Sequence, residues 1–89
     1  MTEHEKTLEW ISKNITLLQK GTRVRIDHRY TSVVVDIIDD EGEEVVVYKD
    51  WDKYRKIWEY HCTELMNFMY TVGLYVKMYH GKFGEGNER

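Results

Sequence analysis

Proline is absent from this 89-residue sequence, and cysteine occurs once, at Cys62. With no fixed-φ breaker, element boundaries must be read from glycines, capping residues and changes of hydrophobic period. A single cysteine cannot close an internal disulfide; this excludes a stapled secreted scaffold and fits a reducing compartment. Excess charge is also lacking: 13 Lys and Arg stand against 16 Asp and Glu, for a formal net charge of −3. That balance excludes a globally basic nucleic-acid binder. No apolar run approaches the ~18 residues needed to span a bilayer. The start, Met1-Thr2-Glu3-His4-Glu5, has none of the apolar core of a secretory signal, so a cytoplasmic location is expected.

What is present suffices for one core. Hydrophobic residues make up 42% and aromatic residues 13% of the chain, enough for a folded domain of this length. One domain is expected over residues 1–80, with 81–89 a flexible, glycine-bearing tail.

Thr2 and Glu5 have the spacing of a capping box. Behind them Leu8, Ile11, Ile15 and Leu18 recur at steps of three and four, predicting a helix from about residue 3 to residue 20, closed at Gly21. From Thr22 the period falls to two. Val24, Ile26 and His28 mark one face of a first strand, and Thr31 to Ile38 form a nearly continuous β-branched second strand. Such a run suggests burial on both faces or against a second chain. Asp39-Asp40-Glu41-Gly42 reads as a hairpin turn, and Glu44 to Lys49 as a third strand.

Beyond Asp50 and Asp52, apolar positions at Tyr54, Ile57/Trp58, His61/Cys62, Leu65, Phe68/Met69, Val72, Tyr75/Val76 and Tyr79 predict one long helix. The expected architecture is therefore α+β in the order α-β-β-β-α. A three-stranded antiparallel sheet packs against an N-terminal and a long C-terminal helix. Thirty helical residues would extend roughly 45 Å, whereas a domain of this size is about 30 Å across. Either the helix breaks near Gly73 or it runs straight to meet another chain. Residues 65–79 are apolar all round, which favours a homodimer through the C-terminal helix, with Met69, Val72, Gly73 and Val76 at its interface.

Charge is segregated. Lys20, Arg23, Arg25 and Arg29 oppose only Asp27, while residues 39–44 carry five carboxylates, Asp39, Asp40, Glu41, Glu43 and Glu44, and no base. Lys53, Arg55 and Lys56 would oppose the macrodipole in the first turns of the second helix, which suggests a use such as gripping phosphate. The order α-β-β-β-α, with these bases opening the second helix, is similar to that of double-stranded-RNA-binding domains. The chain lacks that family's glycine-proline-histidine loop and alanine-rich second helix, so the similarity is one of element order.

Motifs for chemistry are missing. His4, His28, His61 and His80 are scattered, and Cys62 falls on the apolar face of the expected helix, where it serves as a small hydrophobe. No metal site, phosphate-binding glycine loop, nucleophile elbow or other catalytic motif is read, and no cofactor or enzymatic activity is expected. Seven Tyr and three Trp point instead to interfaces. The favoured reading is a small protein-interaction protein, an inhibitor docking Asp39, Asp40, Glu41, Glu43, Glu44, Trp51 and Tyr54 on a partner's basic groove. Short, proline-free, acidic, tyrosine-rich chains are typical of viral inhibitors of host defence, anti-CRISPR proteins among them. The alternative is a duplex RNA or DNA module using residues 20–29 and 49–56, namely Arg23, Arg25, Arg29, Lys53, Arg55 and Lys56.

Overall fold

A computed structural model describes residues 1–26 and 30–84, with the side chains of residues 26, 30 and 31 left aside. Arg29, one of the candidate bases, lies outside the described residues. The elements are α1 (Glu3–Asn14) with a 3-10 turn at Ile15–Leu17, β1 (Arg23–Ile26), β2 (Tyr30–Asp40), β3 (Glu43–Asp52), β4 (Ile57–Glu64), α2 (Leu65–Met78) and β5 (Lys82–Phe83). The chain is a single α+β domain. Its sheet has five antiparallel strands rather than three, in the order β4-β3-β2-β1-β5.

The N-terminus follows its sequence signals. The Thr2 hydroxyl accepts from Glu5 N, and the Glu5 carboxylate accepts from Thr2 N. The α-helix ends at Asn14, earlier than expected, and its exit is tied by buried Thr22. The Thr22 hydroxyl donates to Leu17 O and accepts from Gln19 N, and Gly21 takes φ +91° in the turn. At the hairpin, Glu41 (φ 54°) and Gly42 (φ 88°) form the two left-handed residues of a primed turn. Asp39 Oδ1 accepts from Gly42 N there.

The expected long helix does not exist. Its first half is a turn and a strand. Asp52 Oδ1 accepts from Tyr54 N and Arg55 N, Asp52 O accepts from Lys56 N, and Lys56 adopts φ 58°. The chain then reverses into β4, whose Ile, Trp, Tyr, Cys and Thr suit a pleated surface. Lys53, Arg55 and Lys56 consequently sit in a hairpin loop, and the similarity of order to double-stranded-RNA-binding domains is lost. Helix α2 is continuous through Gly73, so neither a break nor a 45 Å rod is needed; the molecule measures 40 × 34 × 23 Å. Lys82 and Phe83, assigned to the tail, pair with Arg25 and Val24 instead.

Both helices pack on one face of the sheet. Ile11, Val24, Val34, Val46, Phe68, Met69 and Val72 form the buried core, joined at its margin by Trp10, Ile37, Tyr48, Val76 and Phe83. Met69, Val72 and Gly73 are thus covered within the chain, and their apolar character needs no second copy. Between the helices, Lys77 Nζ lies 3.3 Å from a Glu3 carboxylate oxygen and 3.2 Å from Thr7 Oγ1, and the Tyr70 hydroxyl is 2.8 Å from His4 Nδ1. A bulge at Val35 breaks the pairing of β2 with β3 and exchanges the faces of the residues on either side. Val33 and Val35 are only half-buried, so β2 is covered on one face, not two.

Candidate functional site

The second face of the sheet carries no helix. Strand alternation places Arg23, Arg25, Val33, Lys49, Trp51, Trp58, Tyr60, Cys62 and Lys82 there, with Asp36 and Glu64 towards the β2–β3 hairpin, and none of them is buried. Register aligns them in rows across the strands. In one row Tyr60 opposes Lys49, Lys49 opposes Val33, and Val33 opposes Arg23. In the neighbouring rows Trp58 opposes Trp51, and Arg25 opposes Lys82. Five strands at ~4.8 Å spacing make this platform about 19 Å wide, aromatic at the β4 side and basic at the β1–β5 side.

The aromatic half is held by local contacts. The Trp51 and Trp58 rings meet edge to face at 5.2 Å, and Lys49 Nζ sits 4.6 Å from the centre of the Trp58 ring. A cation over an aromatic face is attracted to the ring quadrupole, so Trp58 is anchored while Tyr60 stays 64% exposed and Trp51 38% exposed.

The sequence-predicted residues separate on this frame. Arg23 and Arg25 lie on the platform. Arg55 does not contribute: its guanidinium bonds the Asp52 carboxylate at 2.9 Å and also the Glu59 carboxylate. Those two carboxylates hold Arg55 above the usual arginine range, and the backbone N–H of Arg55 with its guanidinium holds Asp52 below the usual carboxylate range. Lys53 lies over the ring of Tyr54, itself 87% exposed at the loop. Lys82, Trp58 and Tyr60 were missed as site residues, hidden by the misread helix and the misassigned tail, while Lys49 fell within the basic stretch 49–56 without being singled out. Cys62, expected as a helical core residue, is exposed on the same platform.

Asp39, Asp40, Glu41, Glu43 and Glu44 cluster at the opposite end, on the β2–β3 hairpin. Trp51 and Tyr54 do not join them, since Trp51 lies eight residue steps along β3 from Glu43, about 27 Å of strand. The acidic and aromatic groups form two surfaces, not one. Glu43 lies against Glu64 of β4, and the shared hydrogen bond and mutual repulsion raise the Glu43 carboxyl above its ordinary range. Beside this pair, a groove of about 470 Å³ is lined by Ile15, Gly42, Glu43, Glu44, Glu64, Leu65 and Met66. Among the described residues, no group of three His, Cys, Asp or Glu side chains is placed to hold a metal ion. No helix there is long and apolar enough to cross a membrane.

No protein-family model matches the chain, and no solved structure matches it. Among curated proteins it is similar to the COX3 mRNA-specific translational activator PET494 of Saccharomyces cerevisiae, at 30% identity over 92 aligned positions. The match covers 92% of this chain but only 18% of that protein's length.

Proposed function

We propose that the protein is a binding module, not an enzyme, and that the uncovered sheet face takes single-stranded nucleic acid. The observation that carries this reading is the row-by-row placement of Trp51, Trp58 and Tyr60 beside Lys49, Arg23, Arg25 and Lys82. Unpaired bases stack on exposed aromatic rings, and a flanking row of cations tracks the phosphates. Both parts are needed, and both lie on one rigid surface. Net charge is no obstacle, because five carboxylates gather on the β2–β3 hairpin, and Asp52 and Glu59, at the aromatic end, are engaged by Arg55. The similarity to a translational activator described as mRNA-specific agrees with RNA as the ligand. This departs from the duplex-binding alternative, since a flat sheet face with stacking rings suits splayed bases better than a base-paired helix.

The test is fluorescence anisotropy of labelled single-stranded RNA, single-stranded DNA and duplex RNA, titrated at low and moderate salt. Single-stranded RNA should bind best, and more weakly as salt rises. No binding to any of the three at low salt, or tighter binding of the duplex than of either single strand, would remove the reading.

A second reading is favoured by the groove beside Glu43 and Glu64. Apolar Ile15, Leu65 and Met66 next to crowded carboxylates would receive lysine or arginine side chains of a partner protein, stems against the apolar wall and heads on the acids. In that reading the acidic hairpin occupies a basic groove in place of nucleic-acid phosphate and acts as an inhibitor. Charge reversal at Asp39, Asp40, Glu41 and Glu43 should then abolish binding to a lysine- and arginine-rich peptide probe with the fold intact. Unchanged affinity would sink it.

A further inference from the structure

We propose that the chain pairs with a second copy of itself through the free edge of β4, antiparallel and centred on Tyr60. The two ends of the sheet are unlike. One is the two-residue β5, while the other is the eight-residue β4. Exposed edge strands are normally blunted by short length, proline, bulges, lysines or inward-pointing charges. Strand β4 has only the last of these: its pairing with β3 is unbroken from Val45↔Glu64 to Asp52↔Ile57, and its charged residues are Glu64 and the inward-facing Glu59, which Arg55 engages. Ile57 is 44% exposed, and Tyr60 is more exposed still.

Self-complementarity selects a second copy as the occupant. With Tyr60 opposite Tyr60, Glu59 falls opposite His61 of the second copy, and symmetry makes the pairing twice; each group also keeps a partner in its own chain, Glu59 on Arg55 and His61 Nε2 at 3.5 Å from Asp50. Trp58 falls opposite Cys62 and Ile57 opposite Thr63. Thr63 lines a groove of about 80 Å³ beside α2, together with Tyr48, Asn67, Phe68, Thr71, Val72 and Tyr75. Ile57 of the second copy therefore meets a slot that accepts its apolar side chain. Moving the centre to His61 would set Glu59 against Thr63 and Trp58 against Glu64, and the complementarity is lost. The twofold axis stands normal to the sheet, so the two uncovered faces merge into one ten-stranded platform with Tyr60 at its middle.

Sedimentation equilibrium without nucleic acid tests this independently of any ligand. The expected mass is twice the 10.8 kDa of the chain. Tyr60→Glu, at an exposed position, sets like charges together at the axis and should weaken the dimer about a hundredfold or more, with an unchanged circular dichroism spectrum. Trp58→Cys should be linked by diamide to Cys62 of the second copy, because the same pair within one chain is ~13 Å apart along the strand and beyond disulfide reach. A parent chain that stays monomeric at every concentration overturns the proposal. So does a dimer indifferent to Tyr60→Glu, or one that diamide links through Cys62 alone.

Discussion

Gly73 lies directly beneath the indole of Trp10: a Cβ built on the glycine would approach Trp10 Cε3 to 2.8 Å and Cζ3 to 3.2 Å. The missing side chain lets α1 and α2 pack closely over the core, and the Trp10 ring in turn meets Phe83 of β5 edge to face at 5.4 Å. One glycine thus joins the two helices to the last strand.

Gly73→Ala should accordingly destabilise the fold, although alanine is favoured over glycine in a helix by about 1 kcal/mol. Overpacking against a held ring costs about 1–3 kcal/mol and outweighs that gain. In a Trp10→Ala background the same substitution should become neutral or stabilising. A double-mutant cycle of urea midpoints reads this reversal of sign; destabilisation of equal size in both backgrounds would contradict the packing argument.

The hairpin offers a second prediction from backbone alone. Glu41 holds φ 54° with a side chain ill-suited to it, next to Gly42 at φ 88°. Glu41→Asn supplies the residue that primed turns prefer and should stabilise by about 0.5 kcal/mol. Gly42→Ala should destabilise by about 1–2 kcal/mol through the left-handed backbone alone, because nothing lies within 4 Å of the added Cβ. Urea midpoints of the two variants should move in opposite directions.

These turns show what was legible in the sequence. The capping box, the Asp39–Gly42 hairpin and the first three strands could be read because each carries its own local marker. The β4–α2 junction carries none. Glu64 passes straight into Leu65 without a loop, and Glu64 makes no side-chain cap, so the apolar spacing of a real helix could be extended backward without contradiction. In β4 itself the alternation is blurred: Ile57, Glu59, His61 and Thr63 lie on the helix-covered side, yet this edge position leaves them only partly shielded. A strand whose two faces are both mixed shows no period of two. The aromatic and basic sheet face was invisible for the same reason, since two of its three aromatics, Trp58 and Tyr60, sit on that strand. The acidic tip was legible as a cluster, but only strand length showed how far it stands from Trp51.

Acid sensitivity should have two opposed components. Asp52, lowered by the N–H and guanidinium of Arg55, and Glu5, lowered by Thr2, contribute stability that is present above the unfolded pKa values and lost as pH falls through the folded ones. Glu43 is raised by Glu64, so its contribution is fully present below the unfolded pKa and lost as pH rises through the folded one. Asp52→Asn should therefore flatten the decline of the urea midpoint on the acid side. Glu43→Gln should remove the loss that sets in just above the ordinary glutamate range. A pH profile unchanged by Glu43→Gln would show that the two carboxylates do not meet.

Nucleic-acid binding by the uncovered face makes a prediction that distinguishes cations by their partners. Arg25 and Lys49 lie on the platform, so Arg25→Ala and Lys49→Ala should each weaken single-stranded RNA and reduce the slope of log affinity against log salt by about 0.7. Arg55, of the same charge and in the same short chain, is engaged by Asp52 and Glu59, and Arg55→Ala should leave both affinity and slope unchanged. Trp51→Ala should cost about 1–3 kcal/mol of binding through lost stacking while leaving the slope alone. Anisotropy titrations over a salt series separate the three behaviours. If Arg55→Ala lowered the slope as much as Arg25→Ala, phosphate would be held at the β3–β4 loop, and the sheet face would not be the site.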